Sequence, residues 1–232
     1  MKKQWCIGKV DGQYLANMED VLTLYAQEPT AGRARICFDE RPCQLLGEVV
    51  APLAMKSGKP EKQDYEYTRQ GTAVILLAYD IDTGQRYVQV RKQRTKKDYA
   101  QFMEWLLKEH YSHVAQIELV QDNLNTHTYG SFYEHLPAVQ ARVLAQKLNF
   151  HFTPKHGSWL NMAEIEFSVL ARECLNRRID SMEKLEQQVL IWSKSRNIKA
   201  TRIHWSFTVD TARQKLANQY VKVNETNVSS KN

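Results

Sequence analysis

The chain has 232 residues, with 32 Lys+Arg against 26 Asp+Glu and a formal net charge of +6. This length bounds it at one large domain or two small ones. Recurrent apolar runs and a 43% apolar content exclude intrinsic disorder as the main state, and no run of about 18 apolar residues is available to cross a membrane. The four cysteines (Cys6, Cys37, Cys43, Cys174) lack CxxC spacing, which argues against a structural zinc site and for reduced thiols in the cytoplasm. No signal peptide is expected, because the start (Met1-Lys2-Lys3-Gln4-Trp5-Cys6) has no continuous apolar stretch. The positive balance fits a polyanionic partner without specifying one.

In chain order, Met18 to Ala26 suggests a short helix, with Val21, Leu22 and Tyr25 on one stripe. Arg35 to Asp39 reads as a short strand ending in an acid, and residues 42–70 read as a long irregular stretch with a basic centre at Lys56–Lys62. The apolar run Thr72–Tyr79, the turn Asp82-Thr83-Gly84 and the alternating Arg86–Arg91 together predict a hairpin. Thr95 and Asp98 resemble a capping box, opening a helix with Tyr99, Phe102, Met103, Leu106 and Leu107 on one face. A strand over Ile117–Val120 ends in Gln121-Asp122-Asn123. Tyr129, Phe132, Tyr133 and Leu136 form a helical stripe broken by Pro137, and helix resumes through Val139, Val143 and Leu144. Leu148, Phe150 and Phe152 alternate as a last strand. Helices are expected from about Leu160 to Asn176 and from Ser181 through Leu185, Val189 and Trp192, with a frayed tail after Tyr220. This order implies one mixed α/β sheet flanked by helices.

Asp39 and Asp122 end strands, and Glu164 lies in the first turns of a helix after a Pro/Gly loop. Loops converge at such strand ends in open α/β sheets. Three carboxylates brought together repel one another, and a hard divalent cation with its preference for oxygen ligands relieves that repulsion. Two such cations can clamp a phosphoryl centre. Each acid also has a structural alternative: a turn residue at Asp39, a helix cap at Asp122, a dipole partner at Glu164.

The wording around these acids is specific. Val120-Gln121-Asp122-Asn123-Leu124-Asn125-Thr126-His127 resembles the second-aspartate motif of DDE transposases. Thr153-Pro154-Lys155-His156-Gly157-Ser158-Trp159-Leu160-Asn161-Met162-Ala163-Glu164 resembles their third-acid motif. Phe38-Asp39-Glu40 looks like the first-aspartate strand, and Asp64-Tyr65-Glu66-Tyr67 before Gly71-Thr72-Ala73 looks like the approach to the second strand. The resemblance spans residues 33–217 and is nearest to the mariner-related bacterial insertion-sequence group.

That resemblance implies an RNase H-like core over residues 33–220, with residues 1–32 as a short linker or remnant and residues 221–232 as a flexible tail. It implies a cytoplasmic, nucleoid-associated transposase with no membrane partner. The enzyme would hydrolyse phosphodiester bonds at element ends and join the 3′ hydroxyl to target DNA, with Asp39, Asp122 and Glu164 holding two Mg2+ (or Mn2+) ions. Its partners would be double-stranded DNA, a second copy of the chain when active, and a separate upstream polypeptide carrying helix-turn-helix modules, for which about 32 residues before the core are too few. A DNA-binding or dimerisation remnant without activity, and an RNase H-like nuclease without strand transfer, remain as alternatives. The 41 residues between Asp122 and Glu164 exceed the family's usual spacing, so extra helix is expected within 128–148.

Among the neighbours, Glu166 points roughly 200° from Glu164 on a helix, which favours Glu164 as the ligand. Glu40 faces away from Asp39 and reads as structural. Candidate DNA contacts are the basic runs at Arg91, Lys92, Arg94, Lys96 and Lys97 and at Lys56 and Lys59, together with His156 and Asn161; Asn161 could equally cap its helix. His127 and His151 are candidates for a supporting role near the acids, and no histidine pairs at i, i+4 as a zinc site requires. Trp159 packs under its loop or stacks on a base.

Overall fold

The computed structural model describes residues 10–60, 62 and 64–229; Cys6 lies outside them. Five strands form one mixed sheet: β1 (Arg33–Glu48), β2 (Tyr67–Asp80), β3 (Arg86–Arg91), β4 (Gln116–Gln121) and β5 (Leu148–Phe152). They lie in the order β3-β2-β1-β4-β5. The β1–β2 and β2–β3 pairs are antiparallel, whereas β1–β4 and β4–β5 are parallel. A hairpin-rich half is thus joined to a half linked by helical crossovers.

Alternation divides the core into two layers. Ile36 and Phe38 of β1 face a cluster built from α2 (Lys96–Glu109), α3 (Tyr129–His135) and α4 (Ala138–Lys147), with Tyr99, Phe102, Leu106, Phe132 and Leu144 buried there. Cys37 faces the opposite cluster, built from α1 (Gly12–Ala26), α5 (Met162–Glu173), α6 (Met182–Ile198) and α7 (Val209–Lys215). The α2 capping box forms as expected: the Thr95 side chain accepts from the Asp98 amide and the Asp98 side chain accepts from the Thr95 amide. The two helices α3 and α4 occupy the segment where extra helix is expected.

Four expectations need correction. First, β1 does not end at Asp39 but runs to Glu48, paired with β2 from Ile36↔Asp80 to Glu48↔Tyr67. The β1–β4 ladder stops at Cys37↔Val120, so only β2 lies alongside Pro42, and an edge strand tolerates the missing N–H. The register shift between Leu45 and Leu46 leaves Gln70 of β2 as the extra residue, next to Gly71, whose φ of +120° suits glycine. Of the described residues between β1 and β2, 49–60, 62 and 64–66 lie outside both strands, with short bridges Leu53↔Lys62 and Lys56↔Lys59.

Second, residues 12–26 are not linker. α1 buries Leu15, Met18, Val21 and Leu22 in the core. Its polar face is tied down as well, since Arg213 and Tyr220 both donate to Glu19 and His151 lies between Asp20 and Glu118, at 2.7 Å from each.

Third, the chain after Tyr220 continues as helix α8 (Ala217–Ser229), with residues 230–232 outside the described ones. Fourth, α4 is turned relative to the expected stripe: Ala141 and Leu144 are buried, while Val139 and Val143 are exposed.

One buried network locks the layers together. Arg86 donates from Nε and Nη2 to both Glu166 oxygens at 2.7 Å, with both side chains fully buried. Arg196 of α6 adds bonds of 3.2 and 3.3 Å to the same carboxylate. Removing one member of such a network leaves a buried charge without its partner. Glu166→Ala should therefore lower the unfolding free energy by about 3–5 kcal/mol in urea titration, whereas Glu164→Gln, two residues away, should leave it unchanged or raise it. Equal effects of the two substitutions would contradict the assignment of distinct faces.

Candidate active site

The parallel register places the first two acids. Cys37 of β1 is level with Val120 of β4, the last pair of that ladder; two residues further on, Asp39 in β1 and Asp122 just past β4 emerge at the same end of the sheet. The third acid arrives on α5. Asn161 caps that helix by accepting from the Ala163 amide at 3.1 Å and donates to the carbonyl of Phe38 at 2.8 Å and to Asp39 Oδ2 at 3.5 Å. The start of α5 is therefore fastened to β1 beside Asp39, and Glu164 follows in the first helical turn. Asn161 does act as a cap, as the sequence allowed, and at 1% exposure it is buried.

The electrostatics record this convergence. The Asp39 carboxyl is pushed up from its ordinary 3.8 to about 8, foremost by burial, then by the charge of Glu164, with Asp122 and Glu40 adding; the Glu40 amide, donating at 2.8 Å, opposes the shift. Glu164 is also raised, by burial and by Asp122, against the attraction of Arg41. Asp39 thus feels Glu164 and Asp122, and Glu164 feels Asp122, yet among the described residues no group of three or more His, Cys, Asp or Glu side chains is already gathered to hold a metal ion. The Asp122 carboxylate instead meets His127, with Nδ1 2.6 Å from Oδ1.

His127, one of the candidates for a supporting role, has a partner that sequence reasoning missed. Its Nε2 lies 3.0 Å from Glu40 Oε2, and its side chain is 1% exposed. Burial alone would push the imidazole down; the bonds to Asp122 and Glu40 outweigh it and carry the imidazole up to about 9. Glu40 does face away from Asp39, as strand alternation requires, but it is a partner of this histidine. The only signal in the sequence is the position of His127 five residues after Asp122, on a tight loop closed by its amide donating to the Leu124 carbonyl at 3.0 Å.

A cleft of about 740 Å³ opens beside Asp122, walled by Gln13 and Asn17 of α1 and by Asn123, Lys155 and His156 of the loops after β4 and β5. His156, an expected DNA contact, is exposed on this cleft with φ +63°, in the left-handed region. Gly157 follows, and a Cβ there would come within 2.5 Å of Pro154 Cγ. Trp159 is 45% exposed, with its ring against Phe207 and near Trp205. The basic runs lie elsewhere. Lys92 and Lys97 are exposed, Lys96 pairs with Glu134 at 2.8 Å, Arg94 reaches Glu40 at 3.9 Å and Arg91 bonds Gln89. Lys56 and Lys59 sit at the exposed tip of the 49–66 loop.

A protein-family model described as DDE superfamily endonuclease matches residues 34–186. No curated protein matches the chain. Among solved structures, the chain is similar to the Mos1 mariner paired-end complex with Mn at 13% identity and a TM-score of 0.57, covering 86% of this chain and 62% of that one. It is similar to the catalytic domain of Mos1 mariner transposase at 10% identity and a TM-score of 0.56, covering 84% and 90%. The Mos1 strand transfer complex matches at 14% identity and a TM-score of 0.56, covering 84% and 58%. The chain thus spans about 62% of the length of the paired-end-complex chain and most of that of the isolated catalytic domain. The shared fold is the RNase H-like mixed sheet flanked by helices.

The raised Asp39 carboxyl has a consequence for stability. Between about pH 4 and pH 8 the folded protein keeps a proton that the unfolded chain releases, so metal-free stability falls as pH rises through that window. Thermal unfolding in EDTA should show this decline, and Asp39→Asn should flatten its part below about pH 6.5, above which the raised His127 imidazole adds a decline of its own. An unchanged slope in the variant would show that Asp39 is not held as described.

Proposed function

Because this chain belongs to the DDE superfamily endonuclease family, we propose that it is the catalytic domain of a DNA transposase. It would cut phosphodiester bonds at the ends of an insertion sequence and join the freed 3′ hydroxyl to target DNA. The observation that carries this reading is the gathering of acids at one sheet end, where burial, Glu164 and Asp122 raise Asp39 and burial and Asp122 raise Glu164. Self-repelling carboxylates of this kind suit a cationic guest. Their donors are all carboxylate oxygens, the ligand type that Mg2+ and Mn2+ prefer. When bound, two such ions supply activation of the attacking oxygen and stabilisation of the leaving oxygen of an in-line displacement.

The chain's own residues hold and orient. Asp39, Asp122 and Glu164 provide the ligand oxygens. Asn161 holds Asp39 against the start of α5. Lys155 and His156 line the cleft beside Asp122, where a scissile strand would lie, and the exposed cations at Lys92, Lys97, Lys56 and Lys59 suit sequence-independent contacts to phosphates. Such contacts position DNA without reading its sequence, so end recognition is assigned to helix-turn-helix modules outside this domain. A homodimer as the active unit is supported by the exposed apolar side chains Val50, Leu53, Met55 and Tyr65 between β1 and β2. Among the described residues no helix is long and apolar enough to cross a membrane.

Incubation with element-end DNA and Mg2+ should give nicked and joined products, both lost on adding EDTA. Asp122→Asn should abolish both steps, by at least about 1000-fold, with DNA binding retained in a gel-shift assay. Nicks without joined products would favour a nuclease lacking strand transfer, and cleavage by the variant would refute the site.

A further inference from the structure

The family reading assigns Asp39, Asp122 and Glu164 and leaves two ionisable side chains unexplained at the same sheet end. The side chains of Glu40 and His127 are 3% and 1% exposed. Both ring nitrogens of His127 face carboxylates, with Nε2 3.0 Å from Glu40 and Nδ1 2.6 Å from Asp122. The ring is fixed between Phe38 and Tyr99, at centroid distances of 5.3 and 4.8 Å. Tyr99 donates its hydroxyl to Gln121 Oε1 at 2.8 Å, and Gln121 Nε2 donates to the His127 carbonyl at 3.3 Å. The backbone and ring of His127 are therefore held by β1, β4 and α2, with Nδ1 also 3.3 Å from the Asp122 backbone carbonyl, a contact that does not depend on the Asp122 carboxylate.

Asp122 itself stands just past the end of β4, with its side chain 34% exposed. Its Oδ1 accepts a long bond of 3.4 Å from the Leu124 amide, which alone holds the rotamer weakly. The imidazole takes one oxygen, Oδ1, and leaves Oδ2 without that bond. A histidine that only filled space between Phe38 and Tyr99 would need neither carboxylate, and burying the Glu40 acid against it would be costly. We propose that His127, anchored by Glu40, is a positioning residue that presents the Asp122 carboxylate to a divalent cation. The inference rests on the reading that Asp122 is a cation ligand, and it adds a fixed support behind that ligand, of the kind known to tune metal affinity.

The test is Mn2+ titration of the full chain, followed by electron paramagnetic resonance, with metal-free thermal unfolding of each variant. His127→Phe keeps a flat ring between Phe38 and Tyr99 and removes both N–H groups. It should weaken Mn2+ binding about 10–100-fold, and cleavage should be regained at raised Mn2+. Glu40→Gln should weaken binding in the same direction by less, while keeping the imidazole and the packing. Asp122→Asn should weaken Mn2+ binding at least as much as His127→Phe. If His127→Phe and Glu40→Gln bind Mn2+ like the parent while Asp122→Asn does not, the positioning role is refuted and the family reading stands. If Asp122→Asn also binds like the parent, both fall. Should His127→Phe not fold, Glu40→Gln decides alone.

Discussion

The site depends on the parallel pairing of β1 with β4. Adjacent strands lie about 4.8 Å apart, and the register that ends at Cys37↔Val120 delivers Asp39 and Asp122 to the same end of the sheet. Asp122 is close enough to raise both Asp39 and Glu164. The third acid is drawn in by Asn161, which bonds β1 and caps α5 with a single side chain. The result is a standing electrostatic tension that the surrounding protein offsets only in part, through Arg41 near Glu164 and His127 beside Asp122. The apolar layers on either side of the sheet supply the burial that resists this tension.

The sheet also lets its two faces share the work. The layer of α1, α5 and α6 brings Glu164 and one wall of the cleft. The layer of α2 and α3 holds the aromatic seat of His127. Asp39 and Glu40 are neighbours in sequence and face opposite layers, so one dipeptide takes part in both. Such an arrangement needs a strand at that point; a helix or loop would not separate consecutive side chains so cleanly.

Elements whose signal is local are legible in the sequence. The Thr72–Tyr79 run, the Asp82-Thr83-Gly84 turn and the Thr95/Asp98 cap depend on neighbours a few residues away, and they form where the pattern places them. The acids can be singled out because strand ends and the later motifs mark them. Features set by distant partners cannot. Pro42 and Gly47 argue against strand, yet β2 pairs along this whole stretch and overrides that preference. Polar residues in α1 conceal a buried face because their partners, Arg213, Tyr220 and His151, lie more than 100 residues away. The α4 stripe misleads because Val139 and Val143 are apolar by type and exposed by position. The pairing of Glu40 with His127 joins residues from separate strands and loops, and no spacing rule reports it.

The buried fork between Arg86 and Glu166 has a geometric corollary. A guanidinium bonded through two parallel N–H groups accepts a carboxylate in essentially one plane, so α5 has little freedom to roll about its axis. Glu164, two residues earlier and about 200° around, is aimed by that same lock from behind. The helix thus behaves as a keyed shaft: its far side is fixed to the hairpin, and the angular setting of the key determines where the third acid points.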